Sequence, residues 1–191
     1  MIRSFLALDL SENAREAIRR VVEDFRKADA WVSWTRVEQI HLTLKFLGNI
    51  PDEMVPGVAE TLAETCSPVA PFRLQPEGCG AFPSLEQMRI IWVGLREEGA
   101  SLLRLQKEVE AAMVPLGFPV EQRPFRPHLT VGRVKGRRGL HALREKLSKH
   151  ADFHSEPFNV TEIVLYRSDL RPDGARYSPL FRAPLSGAPG S

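Results

Sequence analysis

The chain has 191 residues, of which 43% are hydrophobic and 26% charged, a composition that indicates a globular protein with a packed core and excludes a disordered one. Its 26 Lys and Arg against 24 Asp and Glu give a formal charge of +2, which is too small to indicate nucleic-acid binding by itself. No uncharged apolar run of about 18 residues occurs, and the N-terminal apolar run is too short for a signal peptide, so we expect a cytoplasmic protein without a membrane span.

The first 50 residues predict a strand, a helix and a second strand. Residues 2–8 form a short apolar run that indicates a buried strand, and Ser11 can cap a helix with apolar positions at the helical period. Apolar and polar residues then alternate from 40 to 47, which predicts a half-buried strand. Since strand side chains alternate, His41 and Thr43 should project from the same face.

Hydrophobic periodicity and the positions of Pro and Gly predict the remaining elements. Further helices are expected at 51–65, 100–114 and 140–149, and further strands at 72–74, 89–93, 128–134, 158, 162–166 and 177–182. We expect one domain at 1–185 and a disordered tail at 186–191. Connections of hairpin length favour an α+β fold with antiparallel sheets over a parallel one.

One tetrapeptide occurs twice, as His41-Leu42-Thr43-Leu44 and as His128-Leu129-Thr130-Val131. The copies lie 87 residues apart, and each is followed by a predicted helix and further strands, which indicates an internal duplication with approximate two-fold symmetry. Each copy should present a histidine and a threonine on one face and two aliphatic side chains to the core.

Two such motifs suit proton transfer at a phosphorus atom. One imidazole can take a proton from an attacking oxygen while the other gives a proton to a leaving oxygen, since the ordinary imidazole pKa of about 6.5 permits both states near neutral pH. The hydroxyls of Thr43 and Thr130 can donate hydrogen bonds to phosphate oxygens. The HExxH pattern is absent, and Cys66 and Cys79 lack zinc-site spacing, so no metal is expected.

These motifs and their surroundings resemble the 2H phosphoesterase superfamily, and within it the RNA 2′,3′-cyclic phosphodiesterases, also called 2′-5′ RNA ligases. The resemblance rests on residues 5–10, Trp34 and residues 41–48, residues 125–133, residues 165–168, Gly174 and Tyr177. It implies a bilobal fold with two antiparallel sheets lining a central cleft and helices outside. It also implies hydrolysis of terminal 2′,3′-cyclic phosphates to 2′-phosphomonoesters without a cofactor, and reverse 2′-5′ ligation.

In that resemblance His41 would donate the proton to the departing 3′ oxygen, and His128 would act as general base on water. The residues alone leave this assignment open, since the two motifs look alike. The implied partner is RNA with a 2′,3′-cyclic phosphate end, tRNA fragments included, and we expect a monomeric enzyme that does not bind membranes.

Four further residues are candidates for substrate binding. Arg133 and Arg126 belong to a basic run at 123–144, and Arg133 matches an arginine of the family. Strand alternation places Arg133 on the face opposite His128 unless a bulge at Gly132 re-aims it. Lys45 is a candidate phosphate contact. Phe46 can stack on a base, although core packing is the favoured interpretation.

Other aromatic and imidazole side chains fit structural roles better. His141, His150 and His154 are expected at the surface, although the last two have a spacing that can hold a metal on a helix. Trp31 and Trp34 are expected to pack beside the first motif strand.

Two alternative functions remain open. The same site could act on small cyclic nucleotides or on ADP-ribose cyclic phosphate, because the loops around a pocket decide the substrate. The chain could also be a non-catalytic RNA-binding module, although two complete His-Thr pairs favour an enzyme.

Overall fold

The computed structural model describes residues 1–171 and 174–188. Within these ranges the chain forms an α+β fold of two antiparallel sheets with helices packed against them. The strands are β1 (Ile2–Leu8), β2 (Val32–Trp34), β3 (Leu42–Ile50), β4 (Phe72–Phe82), β5 (Ile90–Glu97), β6 (His128–Val134), β7 (Phe158–Val160), β8 (Glu162–Arg171) and β9 (Gly174–Pro184). The helices are α1 (Glu12–Arg26), α2 (Val55–Cys66), α3 (Ser101–Met113) and α4 (Leu140–Lys149).

The two sheets carry one motif each. In the described residues, the first sheet has the strand order β3-β1-β8-β9 and carries the first motif on β3. The second sheet has the order β2-β6-β5-β4-β7 and carries the second motif on β6. Helices α2 and α3 contact each other beside the first sheet, while α4 contacts both α1 and the second sheet.

The two halves of the sequence are interlaced rather than folded separately. Strand β2, from the first half, pairs with the second motif strand β6, and helix α3, from the second half, contacts β3. The buried apolar side chains accordingly form one continuous core. This exchange of elements ties the two lobes together, so the two motif strands are held in contact.

Local sequence signals explain where the helices begin and end. The predicted cap of α1 is confirmed, since the Ser11 hydroxyl accepts a hydrogen bond from the Ala14 amide at 3.2 Å. The helix predicted at 51–65 starts as a short 3-10 turn at Asp52–Met54 before α2.

No helix in the described ranges is both long and apolar enough to span a membrane.

The predicted C-terminal tail makes contacts over its first residues. The Ser186 hydroxyl donates to the Ser67 carbonyl at 3.1 Å, and the Gly187 amide donates to the Val69 carbonyl at 2.9 Å. Residues 189–191 of that tail lie outside the described residues.

Candidate active site

The first motif places its histidine at the entrance to β3. His41 immediately precedes the strand, and its Nδ1 donates a hydrogen bond to the Gln39 carbonyl at 2.8 Å. This bond holds the proton on Nδ1 and fixes the ring, so Nε2 is the nitrogen left for chemistry. Thr43 follows two residues later with a partly exposed side chain, as the alternation predicts.

The second motif repeats this geometry. His128 is the first residue of β6, and its Nδ1 donates to the Arg126 carbonyl at 2.7 Å. In both motifs the ring is therefore held by the carbonyl two residues earlier in the chain. Arg126, predicted to contact substrate, has an exposed side chain and orients His128 through its backbone.

Both motif strands carry a β-bulge at the same place. On β3, Thr43 lies opposite Ala7 and Lys45 opposite Leu6, so Leu44 is the extra residue. On β6, Thr130 lies opposite Trp92 and Gly132 opposite Ile91, so Val131 is the extra residue. Each bulge thus falls on the last residue of the tetrapeptide, and it reverses the alternation beyond that point.

This reversal turns the fifth residue after each histidine onto the histidine face. Arg133 lies opposite Ile90 on the exposed side of the second sheet, and the bulge that re-aims it is at Val131 rather than at Gly132. Phe46 occupies the equivalent position after the first motif. The preference for core packing of Phe46 was wrong, since its side chain is 68% exposed.

The same bulge removes Lys45 from the histidine face. Lys45 is only 5% exposed, and its ammonium forms an ion pair with Glu110 and donates to the Pro119 carbonyl at 2.8 Å. The expected phosphate contact of Lys45 therefore does not match the structure, because the ammonium is directed into the interior and its donors are engaged there.

His41 sits in a box of aromatic rings. Phe5 stacks on the imidazole at 4.7 Å between ring centroids, and Tyr177 meets it edge-on at 5.1 Å. Burial lowers the pKa of His41 below its ordinary value, against the opposing effects of the Gln39 hydrogen bond and the negative charge of Asp9.

Asp9 is held in place by the first sheet. The Tyr166 hydroxyl donates to both Asp9 carboxylate oxygens, at 2.8 and 2.9 Å, and Arg182 lies 3.7 Å from one of them. Burial and this carboxylate raise the pKa of Tyr166, so its hydroxyl keeps its proton. Tyr166 also lies near His41, with 6.3 Å between the ring centroids.

His128 has a more open environment. Among the described rings, Phe82 contacts the His128 imidazole edge-on, with 5.0 Å between the ring centroids. Trp92 contacts Phe82 in turn, with 5.3 Å between their centroids. The Trp92 indole covers Gly80, where a Cβ atom would come within 2.4 Å of the ring. Glycine at position 80 therefore gives the indole room to lie flat on the histidine face.

Short connections link the two motifs across the lobes. The Thr35 amide donates to the carbonyl of Val131, the last residue of the second tetrapeptide, at 2.9 Å, and six residues of chain lead from Thr35 to His41. Burial raises the pKa of Tyr177, and the positive charge of Arg133 on the other sheet opposes this. Residues of both histidine faces are thus electrostatically coupled.

Periodicity did not reveal the aromatic box or Asp9. Phe5, Tyr166 and Tyr177 come from β1, β8 and β9, Asp9 directly follows β1, and sheet pairing brings them together. Their presence in the segments that resemble the family was the one available signal.

The other histidines and the cysteines lie outside this arrangement. His150 contacts Asp24 at 3.2 Å, the His154 ring donates to the Asp152 carbonyl, and exposed His141 lies 3.9 Å from Glu145. Burial raises the pKa of both cysteine thiols to about 12. Among the described residues, no group of three or more His, Cys, Asp or Glu is arranged to hold a metal ion.

Two hollows in the described part of the chain lie apart from both motif histidines. One of about 310 Å³ lies between β4, β5 and the start of α3, and one of about 230 Å³ lies beside α1. Neither is lined by a residue of the two tetrapeptides.

Trp34 packs against the second motif strand instead of the first. It was expected beside β3, but it lies on β2, opposite Gly132 of β6, and stacks near Phe25 at 6.4 Å between ring centroids. The expectation was wrong because β2 pairs with a strand from the other half of the sequence.

Comparisons with known proteins agree with this architecture. The family model described as "2'-5' RNA ligase superfamily" matches residues 11–172. The crystal structure of TT0787 from Thermus thermophilus superposes with a TM-score of 0.81 at 28% identity, covering 97% of this chain and 99% of that one.

Curated relatives carry one shared name. The RNA 2',3'-cyclic phosphodiesterase of Methanothermobacter thermautotrophicus is 34% identical over 177 residues, 93% of this chain and 95% of the relative. Another, from Geobacillus stearothermophilus, is 34% identical over 97% of this chain, which spans 58% of that longer relative. By the extent of the family match and the identity to these relatives, the chain belongs to the 2′-5′ RNA ligase superfamily.

Proposed function

We propose that this protein is an RNA 2′,3′-cyclic phosphodiesterase that opens the terminal cyclic phosphate to a 2′-phosphomonoester by two-histidine acid-base catalysis. The substrate class is taken from the relatives, which are named RNA 2',3'-cyclic phosphodiesterase. The observation that carries the mechanism is the repeated anchoring of Nδ1 in His41 and His128, which leaves each Nε2 available for proton exchange.

The proposed reaction uses each imidazole once. Water attacks phosphorus while Nε2 of His128 accepts its proton, and the bond from phosphorus to the 3′ oxygen breaks. Nε2 of His41 gives its proton to that departing oxygen, so the products are a 2′-phosphate and a 3′-hydroxyl. His128 is left protonated and His41 neutral, and exchange with solvent restores both. Each role is typically worth about 10²–10⁴-fold in rate.

The asymmetric surroundings suit these roles. The rings packed around His41 partly desolvate it, and its lowered pKa makes protonated His41 a stronger proton donor. His128 is partly exposed and lies where water can approach. Because of its lowered pKa, a smaller fraction of His41 is protonated in the free enzyme. A bound phosphate anion increases that fraction, because its negative charge stabilises the protonated imidazole.

Neutral and cationic donors accompany the histidines. Thr43 and Thr130 share the histidine faces and can donate to the non-bridging phosphate oxygens as negative charge builds there. Arg133 reaches the same face through its bulge, and a guanidinium binds phosphate with two parallel hydrogen bonds. These groups supply charge stabilisation without a metal ion.

Ligation uses the same acid and base with a different nucleophile. The 5′-hydroxyl of a second RNA takes the place of water, gives its proton to the base and attacks the cyclic phosphate, which leaves a 2′-5′ linkage and a 3′-hydroxyl. Cleavage of that linkage would use the two imidazoles in exchanged roles. Because water is in large excess, we expect hydrolysis to dominate, with 2′-5′ ligation detectable at high concentrations of RNA ends.

End-group analysis tests the proposal directly. An oligoribonucleotide ending in a 2′,3′-cyclic phosphate is incubated with the protein, and we expect a product ending in 2′-phosphate. His41→Ala and His128→Ala should each lower kcat by about 10²-fold or more, whereas His154→Ala, which replaces an exposed histidine outside both motifs, should not. A 3′-phosphate product, or full turnover without either motif histidine, would contradict the mechanism.

A further inference from the structure

Trp31 is a large aromatic side chain that the structure leaves at the surface. It is 58% exposed, although burial of an indole would be favourable, so its expected packing beside the first motif strand was wrong. The indole lies across Gly136, where a Cβ atom would come within 2.1 Å of the ring. Trp31 therefore presents an aromatic face to solvent while glycine supports the other side.

The backbone locks Trp31 beside the second motif strand. The Lys135 amide donates to the Trp31 carbonyl at 2.8 Å, and the Trp31 amide donates to the Arg138 carbonyl at 3.1 Å. The first of these bonds extends the pairing of β2 with β6, in which Ser33 lies opposite Arg133, so that Trp31 lies opposite Lys135. Trp31 immediately precedes β2 and lies two residues before Ser33, so continued alternation places it on the face of Ser33, Arg133 and His128.

Positive charge surrounds this ring. Lys135, Arg137 and Arg138 are all exposed, and they follow Arg133 directly along the chain. Arg138 lies 3.5 Å from Asp29, while Lys135 and Arg137 form no ion pair with any residue in the described ranges. We call Trp31 with Lys135, Arg137 and Arg138 the Trp31 platform. Its combination of one exposed aromatic ring and several cations is typical of surfaces that bind single-stranded nucleic acid.

We propose that the Trp31 platform binds the single-stranded RNA on the 5′ side of the cyclic phosphate, with one base stacked on the Trp31 indole and backbone phosphates beside Lys135 and Arg137. The inference rests on the proposed function, since it assumes that the terminal phosphate lies at the two histidines. It adds that the enzyme selects RNA chains over mononucleotides by a second contact.

The geometry sets the length of RNA required. From His128 to Lys135, one residue beyond the end of β6, the chain covers a path of about 23 Å at roughly 3.3 Å per residue. A dinucleotide is too short to span this distance, while a chain of several nucleotides covers it. Positive charge along the path matches the phosphates of such a chain, which is the complementarity expected for RNA.

Substrate-length kinetics test the platform. Cyclic-phosphate-ended substrates of one, two, four and eight nucleotides are compared by kcat/KM, and we expect a gain for the longer two. Trp31→Ala should remove about 5- to 150-fold of the octanucleotide kcat/KM, the range expected for stacking of one base, while mononucleotide turnover stays within about two-fold of wild type. Trp31→Phe should restore most of the loss because it keeps an aromatic face.

Charge is tested separately with a matched control. The double variant Lys135→Ala/Arg137→Ala should weaken the salt dependence of octanucleotide binding. The slope of log K against log salt should become shallower by roughly 1.4, about 0.7 for each phosphate contact to a single strand. Lys107→Ala is the matched control. Lys107 is an exposed lysine on α3, a helix that contacts the first sheet, so this variant should leave the slope unchanged.

The outcomes separate this inference from the proposed function. Equal octanucleotide kinetics for wild type and Trp31→Ala, with normal mononucleotide turnover, would overturn the platform and leave the proposed function standing. Absence of cyclic phosphate hydrolysis by the wild-type protein on every substrate would instead overturn the proposed function. A Trp31→Ala variant that loses mononucleotide turnover as well would show a structural role for Trp31 and would overturn the platform.

Discussion

Lys45 and Glu110 form a buried ion pair that joins β3 to α3 directly beside the first motif. The Glu110 carboxylate also accepts hydrogen bonds from the Gln106 side chain at 3.3 Å and from the Glu121 amide at 3.1 Å, while Lys45 bonds to the Pro119 carbonyl. The pair therefore holds the loop after α3, which leads into the second motif. Lys45, which directly follows the bulge of the first motif, thus contacts both α3 and the segment that leads to the second motif.

Removing one member of this pair should destabilise the protein strongly. We expect Lys45→Met to lower the free energy of unfolding by about 3–5 kcal/mol, since it leaves the buried Glu110 carboxylate without its counter-charge. Urea denaturation of the variant and of wild type measures this. Arg96→Met is the matched control, because the Arg96–Glu77 pair is exposed and should be worth about 1 kcal/mol or less. Similar losses in both variants would argue against a special role of the buried pair.

The charge of Asp9 should tune the protonation of His41. Asp9 raises the His41 pKa against the larger lowering by burial, so Asp9→Asn should shift that pKa to lower values. If His41 donates a proton, a smaller protonated fraction lowers kcat/KM at neutral pH, and the alkaline limb of the pH profile moves to lower pH. If His41 were instead the base, the acidic limb would move to lower pH, with little change at neutral pH.

Tyr166→Phe is the control for this experiment, because it removes the hydrogen bond to Asp9 and keeps the carboxylate charge. The pH dependence of kcat/KM for all three proteins gives the comparison, and NMR titration of His41 checks the pKa directly. An unchanged His41 pKa in Asp9→Asn would contradict the electrostatic coupling.

Arg133 should contribute mainly to substrate binding. Arg133→Ala is expected to lower kcat/KM by about 10- to 150-fold, which corresponds to the loss of a charged hydrogen bond worth roughly 1.5–3 kcal/mol. Arg133→Lys should recover part of the loss, since an ammonium keeps the charge but not the paired geometry. Steady-state kinetics on a cyclic mononucleotide measure both. Arg73→Ala, an exposed arginine on β4, should behave as wild type, and an Arg133→Ala variant equal to it would remove Arg133 from the site.

Chelation should leave activity intact. The proposed mechanism uses imidazole, hydroxyl and guanidinium groups alone, so we expect EDTA treatment followed by buffer exchange to change kcat by less than about two-fold, against the 10²-fold or greater loss expected for removal of a catalytic group. Measurement of turnover before and after chelation, and again with added Mg²⁺ or Zn²⁺, gives the comparison. Activity that is lost with EDTA and restored by a metal ion would replace this mechanism with a metal-assisted one.

Much of the fold and the centre of the candidate site followed from local patterns. The helical period and the Ser11 cap predicted α1, and alternation predicted the strands that carry the motifs, because these signals depend on neighbouring residues only. The repeated His-Leu-Thr pattern identified His41 and His128 as the candidate catalytic pair. In the structure each lies at the start of its motif strand, and a backbone carbonyl holds its imidazole ring.

Alternation misjudged the residues beyond each threonine. A bulge moves the side chains that follow it to the opposite face of the strand. Its position depends on how two strands pair, which the sequence of one strand does not show. For that reason Lys45 is interior and Phe46 exposed, the reverse of what the pattern of a regular strand predicts.

By itself, then, the sequence determined the candidate catalytic residues and most of the segments that form helices and strands, because both depend on residue type and short-range spacing. Only the tertiary structure decided which side chains share a face with the histidines, which ring lies against His41 and which carboxylate meets Lys45. Those relationships depend on contacts between residues far apart in the chain, such as Lys45 with Glu110 and Phe5 with His41, and pairing of the strands and packing of the helices create them.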